Sequence, residues 1–338
     1  MINNLIYLLV SLLSTVYFIV VLHLNIAGVL YGQILGASVQ LLTLLISEWK
    51  RTFLSFSFPY LKGMLYFSLF LIPGQLASFV TYWSNRLFLQ KFASLEDVGT
   101  FSFGYKIASI IPILLTNPIQ KVIGPEIFEL IDRPEECKKK IRQFTLIIFL
   151  VLALFALTLS LFARELIMVM AAKAYSSSHE VVFILSMGYV LVGMAGIVVA
   201  PIQISKKTWL ITITWILSSI VNIGLNYMLV PPYGKSGATY ASLLTFLLIL
   251  GLYFLFGERV YRVGFEYGKY LFILGIVGAA YYGAIGVHIA AFALAIAFKS
   301  AILACTAFLL LILFVPAKDR FRLRCLLSSM LIFKKNQG

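Results

Sequence analysis

Stretches of about twenty apolar residues, parted by short polar turns, recur along the whole sequence. At 1.5 Å per helical residue, each is long enough to cross the roughly 30 Å hydrocarbon core of a bilayer. With 61% hydrophobic residues, 12% charged residues and a mean hydropathy of +0.99, a water-soluble domain could not hide this much apolar surface. The expected fold class is therefore all-α, a polytopic transmembrane helical bundle of about ten spans. The spans are expected near 3–22, 28–47, 63–85, 98–121, 143–163, 180–203, 208–230, 237–256, 269–287 and 289–315, with ends uncertain by several residues. The first run, MINNLIYLLVSLLSTVYFIVVL, has no basic leader and no cleavage signal, so it reads as a span.

The net charge of +14 would suggest nucleic acid in a soluble protein. Here the cations collect in alternate loops. One set holds Lys50, Arg51 and Lys62; Lys121, Arg133, Lys138, Lys139, Lys140 and Arg142; Lys206 and Lys207; Arg259, Arg262 and Lys269; and a basic tail from Lys318 to Lys335. The other set holds only Arg86, Lys91, Arg164, Lys173 and Lys235. The positive-inside rule makes the first set cytoplasmic and places both termini inside. No nucleic-acid partner is expected.

Several spans carry polar residues on one helical face. In the seventh, Thr208, Thr212, Trp215, Ser219, Asn222 and Asn226 recur at spacings of four and three, which puts them on one side. Two asparagines have no use facing lipid, so this face is expected to meet protein or a water-filled cavity. In the third span Pro73 and Gly74 should introduce a bend. Beyond it Gln75, Ser78, Tyr82 and Arg86 share a face. Two readings of Arg86 stand: an arginine snorkelling to the interface, or a cation aimed into an aqueous cavity. The fourth span is the most polar, with Ser102, Tyr105, Lys106, Ser109, Thr116, Asn117 and Gln120 at the same spacing, interrupted by Pro112 and Pro118. Lys106 would cost about 2.5–3.5 kcal/mol in lipid, so the stripe around it argues for a wet cavity. Gly28, Gly32 and Gly36 read as close helix packing, as does the small-residue face of Gly193 and Gly196. Lys299 lies inside the last span with little polar company and reads as a structural oddity.

Enzyme chemistry is not visible. The acidic residues fall in loops or near span ends, so a carboxylate proton relay is unsupported. The histidines, His23, His179 and His288, are scattered and near one surface. Cys137, Cys305 and Cys325 have no metal-ligand spacing, and neither disulfide, metal nor cofactor is expected. Gly234-Lys235-Ser236 invites a phosphate-loop reading, but Leu229 stands where that motif needs its first glycine. Proline-broken spans with polar faces and intramembrane cations suit the passage of an amphipathic anion.

Two stretches carry a resemblance. LIPGQLASFVTYWSNRLFLQKFASLEDVGTFSFGYKIASI, and NIGLNYMLVPPYGKSGATYAS within Ile204 to Ser242, are similar to patterns of the polysaccharide and O-antigen translocases of the multidrug/oligosaccharidyl-lipid/polysaccharide exporter superfamily. The resemblance implies alternating access between two helical lobes. The implied cargo is an oligosaccharide linked to undecaprenyl pyrophosphate, flipped to the outer leaflet for surface polysaccharide assembly. It also makes Arg86 and Lys106 candidates for binding pyrophosphate or acidic sugar. Gln75, Tyr82, Asn117, Gln120, Asn222 and Asn226 complete the candidate cavity lining. Aligned on these motifs, the first two spans match the fifth and sixth of the family, and the preceding four have no counterpart. Asn85 stands where many relatives carry an acidic residue.

The implied organisation is 1–50 as the end of an incomplete amino-terminal lobe, 51–256 as a six-helix carboxy-terminal lobe, 257–316 as two added spans and 317–338 as a basic tail. The implied partners are the lipid-linked oligosaccharide, membrane lipids and glycan polymerase or glycosyltransferase machinery. An exporter of the same superfamily with another substrate, either lipid II or drugs, is the alternative transporter. A non-transporting scaffold for glycan assembly is the alternative class. The expected location is the inner or plasma membrane.

Overall fold

A computed structural model describes residues 2–48, 57–287 and 292–314. Among them there are helices and no strands, as the apolar periodicity requires. Among the described residues, seven helical segments are long and apolar enough to cross a membrane: Asn25–Ser47, Leu95–Phe128, Pro134–Leu161, Lys173–Ile204, Trp209–Val260, Tyr267–Ile285 and Leu294–Phe314. Leu5–Val20 is apolar but shorter. The basic tail, Lys50, Arg51, His288 and Cys325 lie outside the described residues.

The chain forms two compact units, Met1–Tyr66 and Phe67–Gly338. In the first, α1 (Ile2–Val20) and α2 (Asn25–Glu48) fold back as an antiparallel hairpin. The expected glycine stripe makes the contact. A Cβ on Gly36 would stand 2.7 Å from Ser11 Cβ, and one on Gly32 would collide with Thr15 Oγ1. Ser14 Oγ donates to the Gly32 carbonyl at 3.2 Å, a bond that only such close backbones allow.

The second unit is built around α8 (His179–Val198), nearly all of whose residues are buried. It packs against α4 (Leu95–Ala108), α6 (Pro134–Leu161) and α10 (Trp209–Val260). Small residues set these contacts. Gly193 meets Leu152 and Thr116, Gly188 meets Phe246, and Gly196 meets Gln120. Phe101, Phe149, Leu152, Leu157 and Phe246 fill the core around them. The helix α3 (Phe58–Phe92) contains Pro73 within its helical run. Pro112 has no N–H to give, and the backbone answers with a single π-turn, Pro112–Thr116, in which the Asn117 amide bonds to the Pro112 carbonyl. The helix then resumes as α5 (Asn117–Phe128). Short helices α7 (Ala163–Met170) and α9 (Ala200–Ile204) flank α8, and α11 (Tyr267–Ile285) and α12 (Phe292–Phe314) close the order.

The segment α10 is two helical arms joined at a kink, and the arms are antiparallel. Asn222 Nδ2 donates to Thr245 Oγ1 at 2.9 Å across 23 residues. A straight helix would hold those positions about 35 Å apart. The reversal sits at Gly234, whose φ of 52° and ψ of −130° suit glycine alone. At Gly237 a Cβ would strike the Leu229 carbonyl. Pro231, Pro232 and the two glycines thus fold α10 into a hairpin, as the separate spans expected at 208–230 and 237–256 require.

Candidate functional site

Arg86 sits where α3 and α4 face each other. Ser94 caps α4, its hydroxyl accepting from the Asp97 amide at 3.0 Å, and this tight turn brings α4 back along α3. The Arg86 guanidinium lies over two rings, 5.0 Å from the Trp83 centroid and 4.7 Å from that of Tyr105. Its Nη1 donates to the Tyr82 carbonyl at 3.0 Å, and its Nε donates to Ser102 Oγ at 3.3 Å. Among the described residues no carboxylate pairs with it. The cation is held by aromatic faces and neutral acceptors, interactions worth about 0.5–2 kcal/mol each when partly desolvated. Its full charge therefore stays available to an anion. Arg86 is half-buried and folded against these rings.

Lys106 follows Tyr105 on α4 and is exposed. Among the described residues its ammonium has neither a hydrogen-bond nor an ion-pair partner. Tyr82 is half-buried and packs against Trp215 and Phe246, with ring centroids 6.0 and 5.8 Å away. Tyr82 and Tyr105 thus join Arg86 to the core. Gln75 is exposed on α3, and Asn117 is exposed just past the π-turn. Gln120 is half-buried against Gly196 and borders a void of about 30 Å³ with Gln203. No described hydrogen bond links Gln75, Asn117 or Gln120 to Arg86 or Lys106.

Asn222 and Asn226 are fully buried and meet protein, one of the two surroundings their spacing allowed. Ser84 Oγ donates to Asn222 Oδ1 at 2.6 Å, Asn226 Nδ2 donates to Asn85 Oδ1 at 2.8 Å, and Asn85 Nδ2 donates to Ser242 Oγ at 2.9 Å. With Thr245, these side chains form a neutral network that ties α3 to both arms of α10. The physical reason is that a buried amide must find partners inside the protein, and neighbours on three helical segments meet most of the sites of Asn222 and the donors of Asn226. Asn226 Oδ1 alone remains unpartnered. Three consecutive residues of α3 thus divide the work, Ser84 and Asn85 anchoring the helix and Arg86 presenting a cation.

Lys299 is also better placed than its sequence surroundings suggested. Its Nζ pairs with Glu165 Oε1 of α7 at 2.5 Å. The pair lies in a cavity of about 920 Å³, bounded by α7, α8, α11, α12 and the second arm of α10. No sequence signal could have joined positions 134 residues apart. Among the described residues no cluster of His, Cys, Asp or Glu is placed to hold a metal ion.

Residues 1–131 match the family model described as polysaccharide biosynthesis protein. That segment includes Gln75, Tyr82, Arg86, Lys106, Asn117 and Gln120, but not the asparagines of α10. No curated protein sequence matches the chain. Among solved structures, the chain is similar to the lipid II flippase MurJ in its inward closed conformation. The TM-score is 0.68 at 12% identity, over 91% of this chain and 66% of that protein. The chain thus spans just under two thirds of that protein's length, and the likeness establishes a shared fold.

Proposed function

We propose, with residues 1–131 of the polysaccharide biosynthesis family and the fold that of a lipid flippase, that this chain works in moving a lipid-linked oligosaccharide across the cytoplasmic membrane. The cargo is an undecaprenyl-pyrophosphate-linked glycan destined for surface polysaccharide, and the cycle is alternating access. The observation that carries this reading is Arg86, a cation clasped by Trp83 and Tyr105 with no carboxylate beside it among the described residues, and Lys106, next to Tyr105 on α4, with its ammonium free. A pyrophosphate needs cationic donors, and a membrane protein keeps unpaired cations in its spans at a cost. Aromatic rings beside the cation give sugar rings a surface to lie on.

A second reading, lipid II as cargo, is favoured by the likeness to a lipid II flippase. Both cargoes present a lipid-linked pyrophosphate and glycan, and Arg86 and Lys106 serve either one. Polymerase or glycosyltransferase machinery would act on the product, and the cationic loop bias puts both termini in the cytoplasm.

The test is made in cells. Deleting the gene should strand lipid-linked glycan on the cytoplasmic leaflet, and Lys106→Ala at normal protein level should reproduce the defect. Normal surface glycan after deletion would refute the reading. Loss of cell-wall precursor export, with surface polysaccharide intact, would select lipid II.

A further inference from the structure

The 920 Å³ cavity beside α7 is separate from the Arg86 region, and nothing said so far gives it a role. Its size is that of a small-molecule site, and its walls mix apolar side chains with charges of both signs. The charges do not all cancel. Glu180 is met by Lys235 at 2.9 Å. Lys299 is met by Glu165 Oε1, with the two side chains 19% and 17% exposed. Two groups are left over. Glu165 Oε2 is buried and accepts no hydrogen bond, and the exposed guanidinium of Arg164, the adjacent residue, has no ion-pair partner among the described residues. Leaving a buried acceptor unmet costs free energy, and a donor entering the cavity removes that cost. Glu165 lines the cavity with Lys299 already on one carboxylate oxygen, so an entering donor has the other oxygen to meet.

An unmet acceptor beside an unmet cation calls for a ligand with an N–H donor and an anionic group a few atoms apart. Phe183 and Tyr281, stacked with centroids 3.7 Å apart, supply an apolar wall beneath. Around the cavity α8, α10, α11 and α12 are apolar and long enough to cross a bilayer, which gives a lipid of that bilayer access to it. We propose that this cavity is a binding site for a phospholipid whose headgroup joins a primary ammonium to a phosphate. The phosphate pairs with Arg164, and the ammonium shares the Glu165 carboxylate with Lys299. A choline headgroup offers no N–H to Glu165, and a glycerol headgroup offers no cation. The site therefore discriminates between headgroups by hydrogen bonding as well as charge.

The test uses the full chain in detergent, titrated with phosphatidylethanolamine, phosphatidylcholine and phosphatidylglycerol of identical acyl chains, with bound lipid counted by native mass spectrometry. Phosphatidylethanolamine should bind several-fold more tightly than either of the others. Arg164→Gln, which leaves the Glu165–Lys299 pair in place, should weaken that binding about tenfold, the loss expected for one charge-assisted contact. Equal binding of the three lipids, or an unchanged affinity in Arg164→Gln, would overturn the proposal. So would lipid-free phosphoethanolamine binding as tightly as the lipid, which would make the ligand water-borne. Displacement of phosphatidylethanolamine by an undecaprenyl-linked oligosaccharide at equal concentration would also overturn it and assign the cavity to the cargo.

Discussion

Asn226 Nδ2 donates to Asn85 Oδ1 at 2.8 Å, joining two helices whose contacting residues stand 141 positions apart. The bond is fully buried and neutral at both ends. It anchors the turn of α3 that carries Arg86 to the first arm of α10.

Replacing Asn226 with leucine should therefore act first on stability. It removes three donor contacts and leaves Asn85 Oδ1 without its partner. Interhelical hydrogen bonds in membrane proteins are worth about 0.6 kcal/mol on average and up to about 1.7, and a shared network belongs at the upper end. Thermal unfolding in detergent should show the midpoint lowered. Transport should fall in proportion to the folded fraction, with apparent affinity for cargo unchanged. A large affinity loss at unchanged stability would instead mean that Asn226 meets the ligand.

The hairpin of α10 rests on Gly234. Alanine there would have to adopt a φ near 52° with ψ near −130°, at a cost of about 1–3 kcal/mol. Gly224→Ala and Gly251→Ala are the matched controls, since a Cβ at either meets nothing within 4 Å. Folded yield from a common expression host should drop for Gly234→Ala and hold for the controls.

The Lys299–Glu165 pair should show strong coupling. Lys299→Met alone leaves a partly buried carboxylate without its cation and should destabilise by roughly 3 kcal/mol. Adding Glu165→Gln to that variant should restore most of the loss, because the uncompensated charge is gone. Unfolding midpoints of the two single variants and the double variant give the coupling directly.

Much of this was legible in the sequence, because the bilayer imposes a simple grammar. Apolar runs of fixed length give the helices, the short gap between the spans at 208–230 and 237–256 gives the turn, and Gly32 and Gly36 give the closest approach in the first unit. Arg86, Tyr82 and Lys106 were legible as polar positions on helical faces, though not the ring stacking that holds Arg86. The asparagines show the limit. Helical spacing says that Asn222 and Asn226 share a side, but not whether water or another helix lies there. That depends on Ser84 and Asn85, more than a hundred residues away. Lys299 was obscure for the same reason, since Glu165 reaches it only in three dimensions.

The most direct measurement is flipping by the purified chain in proteoliposomes. A fluorescent undecaprenyl-pyrophosphate oligosaccharide is placed in both leaflets, and a membrane-impermeant quencher reads the outer pool. Wild type should equilibrate the leaflets faster than protein-free vesicles. Arg86→Met should fall at least tenfold toward the protein-free rate at equal protein per vesicle, Arg86→Lys should lie between, since it keeps the charge but not the planar fork, and Lys106→Ala should also slow. Wild-type flipping no faster than empty vesicles, or an undiminished rate in Arg86→Met, would contradict the role given to the cation between Trp83 and Tyr105.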